Sequence, residues 1–404
     1  MNVIFISPQF PHYYYNFCLR LKERGARVLG IGDTPYDGVD DNTKNALDEY
    51  YYIPDLQNYE DVYRAVGFYT AKYGKIDWIE SENEYWLYLE AHLRTDFNVT
   101  TGPKLVDMDQ LRHKSKMKDV YQSAGIPVAK YAYLDSLETG LRFAREVGYP
   151  VIVKPDDGMG ASCTYKLTSD EEFQKIYPTL DQNTQFIVED CVPGNVETFE
   201  GITDSHGNIL MSTSHVMCDP VMDMVNEHLD TTFYQQPVFA SDIYDIGERT
   251  VKAFGTKSRF FHFEFIRLTE DKDYLGKKGD LVGLEVNMRA PGAYIPDMMN
   301  LAYDVDVYTI WADMILYDQC FYDINRQYWV GYAGRRKDVQ YALSNEQIMK
   351  RYGQFIALED DVDAALAEAM SDHIFLFRTK DKEKLFKIMH EITQHAYTKR
   401  LSRK

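Results

Sequence analysis

Long apolar runs, repeats, closely spaced cysteines and an excess of basic residues are all missing from this 404-residue sequence. No stretch approaches the roughly 18 uninterrupted apolar residues of a membrane-spanning helix, so no such span is expected. The five cysteines are scattered, with no C-x-x-C pair, which excludes a disulfide framework and predicts reduced thiols in a cytoplasmic protein. Lys and Arg total 44 against 63 Asp and Glu, and the resulting net charge of −19 argues against nonspecific binding to nucleic acid or anionic membranes.

The residues that are present, 45% of them apolar, alternate between short strands and helices. Three strand–helix units in the first hundred residues predict a doubly wound parallel sheet. Its first strand lies at the apolar start of the chain, which we expect not to be a signal peptide. A single basic helix over 109–124 leads to a compact α+β module. Beyond it, longer alternating strands predict an antiparallel sheet.

The most informative residues lie on two strands of this second half. Glu264 sits between phenylalanines, and Glu285, Asn287 and Arg289 follow each other at every second position. Because strand side chains alternate between faces, these residues can share one face of a sheet. Two carboxylates and an amide oxygen are hard ligands suited to magnesium, and Arg289 can bind a phosphoryl oxygen. A solvent-facing strand pair would explain any one of them, but the four together favour a metal–phosphate site.

Three further segments carry weaker signals. Lys154 ends an apolar strand and is followed by a loop of small residues, although the P-loop pattern G-x-x-x-x-G-K-[ST] is absent. The strand 186–190 leads through a turn toward Glu197 and could offer main-chain groups to a base, or be only a strand and turn. Glu84 follows a predicted parallel strand, where α/β sheets place ligands. It could contact substrate or simply stabilise a helix start.

The order of these features along the chain resembles that of the ATP-grasp family, over roughly residues 1–310. The features are the basic helix, the strand-end lysine with its glycine loop, the Glu-Asp hinge and the paired acids with Asn-x-Arg. The branch that the sequence resembles is that of the carboxylate–amine ligases. The resemblance implies that ATP contacts Lys114, Lys154, Gly158, Gly160, Ser162, Glu189, Asp190, Val192 and Glu197. It implies that Glu264, Glu285 and Asn287 hold two magnesium (or manganese) ions, while Arg289 and Lys154 act on the transferring phosphoryl group. Substrate would contact Arg289, Gly292 and Glu84.

Two positions depart from the family pattern. His113 stands where the motif Asp-Lys-x-x-Met has its Asp, and Ala293 replaces the second Gly of Arg-x-x-Gly-Gly. The implied parts are an N-terminal α/β domain (1–103), a helical linker (104–127), an ATP-grasp lid (128–195), an antiparallel metal-binding part (196–318) and a C-terminal α/β segment (319–404). That last segment could carry a homodimer contact or only cover the preceding part.

The expected activity is ATP-dependent joining of a small carboxylate to an amine, both amino acids, through an acyl phosphate. One alternative is an ATP-dependent carboxylase or carbamoyl phosphate-forming enzyme, and another is a noncatalytic ATP-binding regulatory module. The sequence identifies neither substrate, and it does not identify the group that deprotonates the amine.

Overall fold

The first part of the chain forms a four-stranded parallel sheet. The computed structural model describes residues 1–158, 163–218, 228–237 and 240–396. The strands lie in the order β3-β2-β1-β4. The elements are β1 (Asn2–Ile6), α1 (Tyr15–Glu23), β2 (Arg27–Gly32), α2 (Asp41–Ala46), β3 (Glu49–Tyr52), α3 (Tyr59–Tyr73), β4 (Trp78–Glu80) and α4 (Leu87–Asp96). Alternate β1 side chains pack into two different hydrophobic clusters, so both faces of this strand are covered.

The linker contains two helices where the sequence predicted one over 109–124, and that prediction is wrong. Helix α5 (Met108–Arg112) ends at His113, and α6 (Lys114–Ser123) begins directly after it. His113 adopts an extended backbone (φ −85°, ψ 119°) and forms a β-bridge with Asp157. The Lys114 N–H donates to the carbonyl oxygen of Asp156 at 2.9 Å. The break therefore places the start of α6 against Asp156 and Asp157.

The segment predicted as a lid, which keeps the name lid below, forms an antiparallel sheet with the order β5-β8-β6-β7, covered by two helices. Serine side chains cap both helices, Ser136 on α7 and Ser169 on α8, each accepting a backbone N–H of the first turn. The elements are β5 (Tyr131–Tyr133), α7 (Leu137–Val147), β6 (Val151–Pro155), β7 (Tyr165–Leu167), α8 (Asp170–Ile176) and β8 (Phe186–Asp190).

A nine-stranded antiparallel sheet contains the strands of the second half. Its path is β14-β13-β9-β11-β12-β15-β17-β16, with β10 paired to β9. The elements are β9 (Gly194–Thr203), β10 (Ile209–Thr213), β11 (His215–Met217), β12 (Thr232–Gln235), α9 (Ser241–Ala253), β13 (Arg259–Leu268), β14 (Leu281–Asn287), α10 (Ile295–Tyr303), α11 (Val307–Tyr317), β15 (Trp329–Arg335), α12 (Asn345–Tyr352), β16 (Ile356–Asp361), α13 (Ala367–Met370), β17 (His373–Thr379) and α14 (Lys382–Thr393).

One hydrophobic core joins the parallel sheet to the large sheet. Helix α11 inserts Trp311 against Phe17 of α1, with ring centroids 5.0 Å apart, and the same cluster contains Phe260 of β13. The predicted fold class, a parallel N-terminal sheet with antiparallel sheets after it, is confirmed. The boundaries of the five predicted parts stay predictions. Strands from before and after residue 319, the predicted start of the last part, belong to the same large sheet. In the described ranges, no helix is long and apolar enough to cross a membrane.

Candidate active site

The two acids of the predicted metal site lie directly opposite each other on neighbouring strands. Glu264 of β13 pairs with Glu285 of β14, and Asn287 lies two residues further along the same strand. Burial raises the pKa of Glu285, and Lys114, whose Nζ lies 3.3 Å from Glu285 Oε1, opposes that rise. Two facing carboxylates in a partly buried position repel each other, so the arrangement favours a cation between them.

A buried network of hydrogen bonds contacts the Glu264 carboxylate. The His262 ring lies 3.2 Å from Glu264 through Nε2 and 3.1 Å from Glu200 through Nδ1. His215 contacts the other Glu200 oxygen at 2.9 Å. Burial raises the pKa of Glu264, but the hydrogen bond and charge of His262 outweigh burial, so the net shift is downward. The network therefore keeps this carboxylate ionised and fixes its orientation.

Three buried charges meet at the base of the lid. Glu189 Oε1 lies 2.5 Å from Lys154 Nζ, and Glu189 Oε2 lies 2.9 Å from Lys118 Nζ. Burial raises the pKa of Glu189, but the two lysines outweigh it and bring the pKa down to about 2. Burial lowers the pKa of Lys118. One carboxylate thus faces two lysines, which leaves a positive charge that an anion can match.

Lys114 connects the glycine loop to strand β14. Its Nζ donates to the Gly158 carbonyl oxygen at 2.7 Å and also contacts Glu285. Gly158 is the last described residue of the glycine loop; Gly160 and Ser162 lie outside the described residues. Lys114 thus lies between the loop and the paired acids.

A cavity of about 290 Å³ between the lid and the large sheet, which we name the lid cavity, brings these residues together. Its charged lining consists of Glu84, Lys114, Lys118, Lys154, Glu189, Asp190, Glu264, Glu285 and Arg289. Asn287 lines it as well, whereas its other walls are largely apolar, formed by Ala129, Ile152, Val192, Val196, Ile266, Val282 and Leu284. A cavity with both charged and apolar walls suits a ligand that combines phosphates with an aromatic base.

The hinge residues differ in whether their main-chain N–H groups and side chains are free to bind a ligand. The Asp190 N–H donates to the Lys130 carbonyl oxygen (2.9 Å), while the Val192 N–H has no hydrogen-bond acceptor within the described ranges. Lys272 contacts the Asp190 side chain at 2.6 Å. Glu197 is paired with Arg267 and does not line the lid cavity. Val192 is thus the hinge position most open to a ligand.

The predicted substrate residues lie at a second cavity of about 780 Å³, the sheet-edge cavity, beyond β1, β2 and β4. Glu84 and Arg289 line both cavities and form an ion pair at 2.5 Å, and Gly292 lines the second. Arg112 also contacts Glu84, at 3.1 Å. Ala293, the departure from the glycine pattern, adopts a φ of +53°, a conformation that favours glycine.

Several residues at these cavities were not predicted from the sequence. Lys118 lies four residues after Lys114 in α6, and this spacing on one helix face could have identified it. Lys272 and Tyr274 come from the polar loop between β13 and β14 and bind the Asp190 side chain. Glu82 is buried in the sheet-edge cavity at a φ of +53°. The last three depend on contacts between residues far apart in the chain, which no local pattern reveals.

The donor set fits magnesium. Glu264, Glu285 and Asn287 offer hard oxygen ligands on one face, and with its amide nitrogen turned toward Glu84, Asn287 donates to both Glu84 oxygens (3.2 and 3.3 Å). The Asn287 oxygen is then free for another partner. In the part of the chain that is described, no three His, Cys, Asp or Glu side chains form a metal-binding group, so phosphate oxygens or water would have to complete the coordination.

The chain is similar to known proteins in sequence and in fold. Residues 113–225 match the family described as carbamoyl-phosphate synthase L chain, ATP binding domain. The L-arginine-specific L-amino acid ligase of Bacillus subtilis is 24% identical over 271 residues, covering 65% of this chain and 62% of that protein. The match thus spans about three fifths of the length of this curated relative.

Two solved structures share the fold over nearly the whole chain. The L-amino acid ligase of Bacillus licheniformis has a TM-score of 0.72 at 14% identity, covering 97% of this chain and 96% of that one. The biotin carboxylase domain of Hydrogenobacter thermophilus 2-oxoglutarate carboxylase, solved with MgADP and bicarbonate, has a TM-score of 0.72 at 15% identity, covering 97% and 89%. The family match over residues 113–225, the amino acid ligase relative and this shared fold agree with the resemblance to the ATP-grasp superfamily.

Proposed function

We propose that this protein is an ATP-dependent carboxylate–amine ligase that joins two amino acids and releases ADP and phosphate. The observation that carries the proposal is the lid cavity, where Lys114 and Lys154 face Glu264, Glu285 and Asn287. These are the groups needed to bind a triphosphate with its metal ions. The B. subtilis relative, named an L-amino acid ligase, supports amino acids as the substrates.

ATP would lie with its base against the apolar wall, where the free Val192 N–H can bind a ring nitrogen. Lys114 and Lys154 would bind the phosphates, and Lys154 would exchange its contact with Glu189 for a contact with phosphate. The part of the loop that is described, Gly158, would contribute main-chain groups. Roles for Gly160, Ser162, Asp190 and Glu197 in ATP binding stay predictions.

Glu264, Glu285 and Asn287 would hold two magnesium or manganese ions, which neutralise phosphoryl charge when bound. The substrate carboxylate would attack the γ-phosphorus of ATP, giving an acyl phosphate and ADP. Arg289 lines both cavities, so it can stabilise the transferring phosphoryl group while the carboxylate approaches from the sheet-edge cavity. Attack by an amine then forms the amide bond and releases phosphate.

A screen of ADP and phosphate release with pairs of amino acids, followed by mass spectrometry of the product, tests this function. Release that requires an amino acid pair, with a dipeptide as product, supports the ligase. Release only with bicarbonate would instead indicate a carboxylase or carbamoyl phosphate-forming enzyme. Tight ATP binding without release would indicate a regulatory module. A homodimer and a cytoplasmic location also stay predictions.

A further inference from the structure

A buried charge cluster beside the sheet-edge cavity contains more carboxylates than cations. Arg94 lies 2.9 Å from Glu80 and 2.7 Å from Glu90, and Arg259 lies 3.2 Å from Glu80. The side chains in these three ion pairs are at most 4% exposed. Glu82 is the third carboxylate of the cluster, at 3% exposure. Two guanidinium groups therefore face three carboxylates.

Glu82 is the member that remains without a partner of opposite charge. Among the described residues, no ion pair includes it, and its carboxylate accepts one hydrogen bond, from the Ala290 N–H to Oε2 at 2.6 Å. Burial raises the pKa of Glu82, and the neighbouring Glu80 raises it further; the Ala290 hydrogen bond and the charge of Arg259 lower it but do not outweigh these two effects. An unpaired buried carboxylate is costly, so its presence calls for an explanation outside the cluster.

Its backbone and its position point toward a ligand. Glu82 has a φ of +53°, which is unusual for a residue with a side chain, and the Tyr14 hydroxyl donates to its carbonyl oxygen at 3.0 Å. This conformation places Glu82 in the wall of the sheet-edge cavity, which Glu84 and Arg289 also line. The Ala290 N–H ties it to the residue directly after Arg289.

We infer that Glu82 binds the ammonium group of the substrate whose carboxylate is activated. The inference rests on the proposed ligase function. A bound ammonium would supply the missing positive charge, while Arg289 lies on the side of the cavity that meets the phosphates. The substrate class follows from this pairing: the activated acid carries a positively charged nitrogen, as an amino acid does, and a simple carboxylic acid would leave Glu82 unpaired.

Trapping with hydroxylamine tests the inference, because it converts an acyl phosphate to a hydroxamate without needing the natural amine. The wild-type protein is assayed with alanine, leucine and phenylalanine and with their counterparts that lack the amino group, propionate, isocaproate and hydrocinnamate. For any accepted amino acid, we expect kcat/KM about 10- to 100-fold above that of its counterpart, the effect of one charge-assisted hydrogen bond.

Glu82→Gln should bring this ratio close to one, because the glutamine keeps the Ala290 hydrogen bond and loses the charge. Asp33→Asn is the matched control: it neutralises an exposed carboxylate that lines the same cavity and lies outside the buried cluster, so it should keep the ratio. Thermal unfolding of both variants checks the fold.

The outcomes separate the two proposals. No hydroxamate or ADP with any amino acid contradicts the ligase function itself. Equal kcat/KM for an amino acid and its counterpart in the wild-type protein leaves the ligase standing and overturns the role of Glu82, whether or not the variant folds. An unchanged ratio in a folded Glu82→Gln variant overturns it as well.

Discussion

The carboxylates of the two cavities differ in whether a cation lies beside them. In the lid cavity, carboxylates have lysine partners: Glu189 contacts Lys118 and Lys154, and Glu285 contacts Lys114. In the sheet-edge cavity, Glu82 has no cation of its own among the described residues. The difference teaches that the first cavity holds matched charges that a nucleotide and its metal ions can take over. In the second cavity, burial raises the pKa of Glu82, so this carboxyl group needs the positive charge of a ligand to be ionised at neutral pH.

Glu84 and Arg289 mark the boundary between these two environments. They line both cavities and pair with each other. A substrate that presents its carboxylate to Arg289 would compete with Glu84 for the guanidinium group. The boundary is therefore where the reacting carboxylate and the phosphoryl group would meet, and variants on either side of it should have different effects.

The largest effect is expected from the metal-binding side of the lid cavity. Glu285→Gln keeps the size of the side chain but removes one of the two facing carboxylates, so metal binding and ADP formation should fall by about 100- to 1000-fold. ADP release at saturating ATP and amino acids measures this loss. Glu270→Gln, an exposed residue of the loop between β13 and β14, is the control and should keep full activity. Native-level turnover in folded Glu285→Gln would contradict the metal-site assignment.

A smaller effect is expected from the lysine side of the same cavity. Lys154→Met removes a phosphate-binding charge and leaves Glu189 paired with Lys118 alone, so ATP affinity should fall by about 10- to 100-fold. Isothermal titration with ATP and magnesium measures the dissociation constant. Lys175→Met, on the exposed side of helix α8 in the lid, is the matched control. An unchanged dissociation constant for Lys154→Met would remove this lysine from the ATP site.

The lid cavity was more predictable from the sequence than the sheet-edge cavity, for a physical reason. Period-two alternation is a local property, so the order of residues along the chain is enough to assign Glu285, Asn287 and Arg289 to one side of a strand. The strand-end position of Lys154 is local in the same sense. These residues do line one cavity, although their roles remain proposals.

Long-range contacts account for what the sequence did not reveal. The helix break at His113 comes from its pairing with Asp157, since a residue that bonds across to another segment leaves the helical backbone. Glu82 was not predicted, because its lack of an ion-pair partner depends on residues that three different elements contribute: Glu80, Glu90, Arg94 and Arg259. Counting charges requires knowing which ones are buried together.

The smallest effect, a change in pH dependence, tests the comparison between matched and unmatched carboxylates directly. Burial raises the pKa of Glu189, but Lys118 and Lys154 outweigh it and lower the pKa to about 2. Its contribution to stability is therefore complete above the ordinary value of 4.5 and is lost as the pH falls from 4.5 toward 2. Burial and then Glu80 raise the pKa of Glu82 to about 8. The cost of ionising it in the folded state therefore grows as the pH rises from 4.5 toward 8.

Each group changes the free energy of unfolding by at most about 1.4 kcal/mol per pH unit. The two changes have opposite signs, one below pH 4.5 and the other above it. Thermal unfolding at constant ionic strength, from acidic to mildly alkaline pH, measures how stability depends on pH. Glu189→Gln should reduce the change of stability with pH below 4.5, and Glu82→Gln should reduce it above 4.5. Asp33→Asn, which neutralises an exposed carboxylate of the same cavity, is the control and should leave the pH dependence as in the wild-type protein. If Glu82→Gln and the wild-type protein lose stability in parallel as the pH rises, Glu82 has a counter-charge in the folded protein. The contrast between the two cavities would then fail, because both would hold matched charges.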